Sequence, residues 1–240
     1  MSDRRSTARE LAHEALRRDE ALAWFEELYA LERAGAAAVP WADECANPLL
    51  VDWLDGALEG LPAAPGSVPA RRALVVGTGF GDDAAELARR GYAVTAFDVA
   101  PSAIDRAVQR FPEAAIDWRV ADLFDAPDAW NGAFDLVVEV NTLQVLPPDL
   151  RARAFAPLAG FVADGGLLFV ACRARESDEA PGAMPWPLVP IELAGFERAG
   201  LGSLAQVDLV DDEDPPVRRL VALFGRASLD RQLEEHGVRT

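Results

Sequence analysis

The stretch ALVVGTGFGDDAAELARRG, Ala73 to Gly91, decides the fold. A short apolar run reads as a buried strand, and three glycines at alternate positions, Gly77, Gly79 and Gly81, break it. Two aspartates and a helical pattern follow. A strand that turns on glycines into a helix brings backbone close to a nucleotide-like ligand, because no Cβ stands in the way. The dinucleotide fingerprint G-x-G-x-x-G needs its third glycine where this chain has Asp82. A pyrophosphate also settles at a helix N-terminus because free N–H groups and the helix dipole favour anions. Asp82 and Asp83 place two carboxylates in that turn, which disfavours a phosphate whether they face the ligand or one of them caps the helix.

Outward from this turn, strand-like and helical runs alternate. Strands are expected at Ala73–Val76, Ala93–Phe97, Ile116–Ala121, Phe134–Val140 and Gly166–Cys172, and helices at Asp82–Arg90, Pro101–Arg110 and Asp149–Phe161. This rhythm predicts a parallel sheet with helices on both faces. Near the C-terminus, SLAQVDLVDD and VRRLVALFGR flank the turn signal EDPP and read as a hairpin, so the sheet finishes antiparallel. Upstream, RELAHEALRRDEALAWFEELYALERAG places Leu11, Ala15, Leu22, Phe25, Leu28 and Tyr29 near helical spacing, and another helix is expected from Pro48. A Pro/Gly/Ser linker, Pro62 to Ala70, leads into the main body. The expected organisation is a helical cover over residues 1–65 and an α/β domain over 66–240, forming one structural unit.

Composition narrows the partners. Half of the 240 residues are apolar, enough for a sizeable core, and the formal net charge is −17. Such a surface repels nucleic-acid backbones and anionic lipid, and basic residues gather only in pairs such as Arg71-Arg72 and Arg218-Arg219. Neither a nucleic-acid partner nor a membrane is expected; no apolar run reaches the ~18 residues of a span. The charged N-terminus lacks the apolar core of a secretory signal. Cys45 and Cys172 form no disulfide framework or metal-like spacing, which fits a reducing cytoplasm. His13 and His236 sit near the two ends, so neither a histidine metal site nor a histidine base is expected. The acidic run Asp211 to Pro216 reads as a solvated turn.

Two acids stand at strand ends. Asp98 closes the second strand, where a carboxylate accepts hydrogen bonds from ribose hydroxyls in either cofactor class, or caps the next helix. Asp122 follows the third strand, within reach of an adenine amino group.

The segments VVGTGFGDDA, VTAFDVAPSAIDRA, VADLFD, FDLVVEVNTLQVLPPDLR and LAGFVADGGLLFVACR occur in the order seen in class I S-adenosylmethionine-dependent methyltransferases, and the chain resembles that family from Arg72 to Arg226. The resemblance implies a Rossmann-like seven-stranded, mostly parallel sheet with an antiparallel last strand, and S-adenosylmethionine as cofactor. It places Gly77, Thr78 and Gly79 under the methionine part, Asp98 on the ribose and Val99 on the adenine. Asp122 would bond the adenine amino group with Leu123 nearby. Glu139 would face the methionyl group or the substrate, and is the candidate catalytic residue. The family usually has an acid two positions before the first glycine; here Val75 stands there, and Glu139 would then neutralise the ammonium.

The turn after the fourth strand, EVNTLQ, lacks the Asn/Asp-Pro-Pro-aromatic pattern of nucleobase amino methylation. Without a histidine base, acceleration would come from alignment for in-line displacement onto a sulfur, nitrogen or oxygen nucleophile of a small molecule. The opening segment, the LQVLPP turn and the PGAMPWPL loop loosely resemble the thiol, thiocyanate and thiopurine methyltransferases. That likeness implies an N-terminal cover with Tyr29 and Trp41 as its aromatics. Trp41 either lies against the sulfonium, where a ring face favours a cation, or packs on the sheet. Trp186, between Pro185 and Pro187, either walls the acceptor pocket or anchors its loop. Two alternatives stand beside this reading. One is an NAD(P)-dependent oxidoreductase, which needs a phosphate-friendly turn and a Tyr/Lys or His group in a chain without lysine. The other is a non-catalytic S-adenosylmethionine-binding protein.

Overall fold

The computed structural model describes residues 5–62, 64 and 71–227. Seven strands form one sheet: β1 (Arg72–Val76), β2 (Ala93–Asp98), β3 (Ile116–Val120), β4 (Phe134–Val140), β5 (Val162–Arg173), β6 (Gly202–Val210) and β7 (Arg218–Gly225). Their order is β3-β2-β1-β4-β5-β7-β6, with β7 antiparallel to both neighbours and the other pairs parallel. The chain reverses its direction of travel across the sheet between β1 and β4, which opens a crevice at their C-terminal ends.

Four helices between strands cover the sheet: α4 (Asp82–Arg89), α5 (Pro101–Arg110), α6 (Pro148–Phe161) and α7 (Ala194–Arg198). Side chains alternate across each strand, so every central strand feeds two cores. Along β4, Val137 joins the core beneath α6 and α7, with Phe155, Phe161 and Phe196. Its neighbours Leu136 and Val138 join the opposite core with Ala84 and Leu87 of α4. Trp53, from the helix α3 (Pro48–Leu54), closes that second core by stacking on Phe169 with ring centroids 4.9 Å apart, and its Nε1–H donates to the Pro62 carbonyl at 2.9 Å.

The N-terminal segment differs from the expected continuous helix. It forms α1 (Ser6–Arg17) and α2 (Ala23–Arg33), separated by a break at which Asp19 takes a left-handed φ of 59°. Aspartate tolerates that conformation, and the charged Arg18-Asp19-Glu20 run has no apolar face to hold it in a helix. The break lets α2 lay Trp24, Phe25, Leu28 and Tyr29 against Phe80, Ala103, Val145 and Met184 of the main body. Burying each such side chain stabilises the docked cover by about 1.5–3 kcal/mol. Glu26 adds a polar tie, accepting from the Ser102 N–H at 2.9 Å and its hydroxyl at 2.7 Å in the first turn of α5. The expected linker lies largely outside the described residues, as do the 65/66 boundary and His236.

Candidate active site

The C-terminal ends of β1, β2 and β4 deliver Gly77, Asp98 and Asn141 to one side of the sheet, beneath the cover, where a cavity of about 1060 Å³ opens. Of the residues singled out by sequence, Gly77, Asp98, Val99, Asp122, Leu123, Tyr29 and Trp41 line it together. Thr78 and Gly79 stand in the turn behind, and Glu139 and Trp186 do not line it.

Each glycine of the opening turn has positive φ: 61° at Gly77, 53° at Gly79 and 89° at Gly81. A Cβ on Gly77 would overlap the Thr142 hydroxyl, which itself donates to the Val76 carbonyl at 3.2 Å. A Cβ on Gly79 would stand 3.3 Å from the Tyr29 hydroxyl oxygen. The third glycine serves packing instead: a Cβ on Gly81 would come within 2.6 Å of the Trp118 ring. Thr78 Oγ1 is buried at this turn with no hydrogen-bond partner among the described residues.

The two aspartates after the turn do not act as their position suggested. Gly81 is the N-cap of α4, without a side-chain cap, so neither aspartate caps the helix. Asp82 is held bidentately by Arg110, at 2.6 and 2.7 Å. Asp83 accepts from the Asn47 N–H at 2.7 Å and so ties the cover segment to the sheet domain. Burial pushes the Asp83 carboxyl up to about 6 against that hydrogen bond. Neither lines the cavity, so charge repulsion at this turn does not decide which cofactor binds.

Asp98 is fixed by backbone donors, with Oδ2 accepting from the Gly79 N–H and Oδ1 from the Ala100 N–H, both at 3.0 Å. It couples the glycine turn to the start of α5 and does not cap that helix. Burial raises its carboxyl to about 6, opposed by the N–H groups of Ala100, Gly79 and Val99. With three donors on about four lone-pair sites, the carboxylate keeps some acceptor capacity while it lines the cavity. Asp122 caps the short 3-10 turn Leu123–Asp125 through the Phe124 N–H at 2.8 Å.

Glu139 departs from expectation. Strand alternation turns it to the α6 face with Val137, fully buried. Its Oε1 accepts from the N–H groups of Thr142 at 2.7 Å and Leu143 at 2.9 Å, while Oε2 has no partner among the described residues. Burial lifts its carboxyl to about 7, opposed by those two N–H groups and by the Arg151 charge. The group therefore holds the turn that walls the cavity and does not reach into it.

In the cover, the Trp41 Nε1–H donates to the Tyr29 hydroxyl at 3.0 Å, and the two rings meet edge to face at 6.3 Å. Burial, then the Asp98 charge, raise the Tyr29 hydroxyl well above its usual range. Trp186 packs against the cover and anchors its loop: its N–H donates to the Gln144 carbonyl at 2.6 Å, and its own carbonyl accepts from Arg151 at 3.0 Å. Met184 and Pro185 of that loop line the cavity in its place.

Sequence reading missed the buried Arg151, which joins this loop to the Leu143 and Leu146 carbonyls and to Glu192. It also missed Gln144 and Arg173 in the cavity wall. The sequence signals none of them, because their partners lie far along the chain. Among the described residues no three His, Cys, Asp or Glu side chains converge as metal ligands, and no helix is long and apolar enough to cross a membrane.

Residues 73–166 match the family model described as a methyltransferase domain. An uncharacterized methyltransferase of Mycobacterium tuberculosis is 42% identical over 97 residues, which is 40% of this chain and 48% of the relative. The ubiquinone biosynthesis O-methyltransferase of Xanthomonas campestris is 31% identical over 151 residues, 58% of this chain and 59% of the relative. The chain thus spans about half the length of the curated relatives it matches first. Among solved structures, the 1,6-didemethyltoxoflavin-N1-methyltransferase of Burkholderia thailandensis superposes with a TM-score of 0.63 at 18% identity. That alignment covers 91% of this chain and 90% of the other.

Proposed function

We propose that this chain is a class I S-adenosylmethionine-dependent methyltransferase that moves a methyl group from S-adenosylmethionine to a small-molecule acceptor, a reading supported by its sheet order and by the domain match over residues 73–166. The observation that carries the reading is the cavity over the glycine turn, where the bare backbone of Gly77 and the two fixed carboxylates of Asp98 and Asp122 suit a nucleoside with a charged amino-acid tail. Gly77, Thr78 and Gly79 would hold the methionine part. Asp98 would accept from the ribose hydroxyls, with Val99 against the adenine, and Asp122 and Leu123 would meet its amino edge. When bound, the cofactor supplies a methyl group on an electron-poor sulfonium.

The chain's own residues then bind, orient and exclude water. Tyr29 and Trp41 close the cavity from the cover, and the Trp41 ring favours a neighbouring cation. Glu139 is assigned a positioning role, fixing the Thr142–Leu143 turn. No histidine lines the cavity among the described residues, so the acceleration is assigned to alignment of the two reactants. A cavity of about 1060 Å³ lies at the upper end of the usual range for small-molecule sites and supports a compact acceptor beside the cofactor. The relatives named for ubiquinone and toxoflavin chemistry support the same acceptor class. They also favour methyl transfer over the oxidoreductase reading. Two unpaired cysteines, Cys45 and Cys172, support a cytoplasmic setting.

The test is calorimetric titration with S-adenosylmethionine, S-adenosylhomocysteine and NADH side by side. Micromolar binding of the first two with silence from NADH is expected, and binding of NADH alone overturns the proposal. Turnover in an acceptor screen then separates the enzyme from a non-catalytic binder of the same cofactor.

A further inference from the structure

Gln144 is only 5% exposed, yet it lines the cavity. Its Oε1 accepts from the Arg173 N–H at 2.6 Å, and its own carbonyl accepts from the Trp186 N–H. The first bond fixes which end of the carboxamide is oxygen, since a backbone N–H can only donate. The side-chain NH2 group, with its two donors, is left without a partner among the described residues. A buried amide held in one orientation by its oxygen, with its donors unspent beside a cavity, is built to receive an oxygen atom.

The surroundings define what carries that oxygen. The nearby wall is apolar, from Val140, Val145, Met184, Pro185 and Leu209. Arg173 and Arg219, two of the arginines at this end, are already engaged: Arg173 meets Glu213 at 3.2 Å, and Arg219 meets Asp211 at 2.6 Å and also Glu213. Asp43, Asp52 and Asp212 line the cavity as exposed carboxylates outside these pairs, a rim that disfavours anions.

Building on the methyltransferase reading, we infer that Gln144 anchors the methyl acceptor, donating its side-chain NH2 to a carbonyl-type oxygen on a neutral, largely apolar molecule. A site built around a hydrogen-bond donor discriminates strongly against analogues that lack the matching acceptor, because its buried group is then left unpaired.

The test titrates protein saturated with S-adenosylhomocysteine against three matched phenols, para-hydroxyacetophenone, para-ethylphenol and para-hydroxybenzoate. The ketone is expected to bind about tenfold or more tightly than the ethyl compound, with the carboxylate weakest. Gln144→Glu keeps an oxygen for the Arg173 N–H but removes the donor. It should abolish the preference for the ketone while leaving the dissociation constant of S-adenosylhomocysteine unchanged. Gln144→Met serves as a second donorless variant and should erase the same preference. Persistence of the preference in either variant, preference for the carboxylate, or no binding by any of the three overturns the inference. Failure of S-adenosylhomocysteine itself to bind overturns the methyltransferase reading on which it rests.

Discussion

Glu139→Gln is expected to make the protein more stable relative to wild type as pH rises. The Glu139 carboxyl stands at about 7 in the folded chain against an ordinary 4.5, chiefly because burial penalises its charged form. A raised folded value means that the native state holds the proton more tightly than the unfolded chain. The stability this contributes is complete below 4.5 and is lost as pH climbs to about 7. The loss runs at about 1.4 kcal/mol per pH unit and amounts to about 3 kcal/mol above the folded value. Glutamine keeps an oxygen for the Thr142 and Leu143 N–H groups and does not titrate. Its NH2 takes the place of the unpartnered Oε2, adding a pH-independent cost of about 1–2 kcal/mol. Urea unfolding of both proteins at steps between about pH 5 and pH 9 reads the difference directly. Asp83 and Asp98 titrate in the same window but are present in both chains. The difference should swing toward the variant by about 3 kcal/mol across the full window and then level off. A difference that stays constant with pH refutes the assignment of a buried, proton-holding carboxyl at this position.

Gly77→Ala combines a left-handed φ of 61° with overlap on the Thr142 hydroxyl, and should lower stability by about 2 kcal/mol or more while weakening S-adenosylhomocysteine binding. Adding Thr142→Ala should restore only the overlap part, read by thermal unfolding and calorimetry. Asp98→Asn should lower affinity for S-adenosylhomocysteine about 10- to 100-fold at neutral pH, since one acceptor oxygen becomes a donor facing backbone N–H groups. In the wild type, that affinity should weaken as pH falls through about 6 and the Asp98 carboxylate takes a proton. Calorimetry at several pH values checks both statements. A double-mutant cycle on Asp82→Asn and Arg110→Met should give a coupling of about 1–3 kcal/mol in urea unfolding, because the pair is bidentate and mostly shielded from solvent.

The parts of the fold that were legible in sequence are those set by local pattern. The apolar run Phe134–Val140 is β4 residue for residue, and Pro101–Arg110 is α5, its proline at the first helical position. The antiparallel hairpin was legible because EDPP interrupts two strand-like runs, one alternating and one continuously apolar. The break between α1 and α2 was not legible, since apolar residues at helical spacing stand on both sides of Arg18-Asp19-Glu20 and the surfaces that α2 docks on, Phe80 and Val145, lie far along the chain.

Site residues divide in the same way. Gly77, Asp98 and Asp122 sit where β-α turns must place them, so their positions near the cavity follow from chain order. Asp82 deceived because its partner, Arg110, lies 28 residues on, and a helix-start carboxylate looks the same whether free or paired. Glu139 deceived through the sheet's alternation: one position later, Val140 lines the cavity, while Glu139 faces α6. Gln144 was invisible because its orientation depends on Arg173 and Trp186, both brought in from beyond β4.

The edge-to-face contact of Trp41 with Tyr29 has an optical consequence. The chain has six tryptophans, and Trp41 is the one that lines the cavity. Trp24, Trp53 and Trp130 are buried in the cores and Trp118 packs under α4. Filling the cavity changes the dielectric and the quenching around Trp41 and, through the shared cluster, around Trp24 and Trp186, while Trp53, Trp118 and Trp130 supply the background emission. The molecule thus carries a built-in spectroscopic gauge of occupancy, and Trp41→Phe removes its principal reporter.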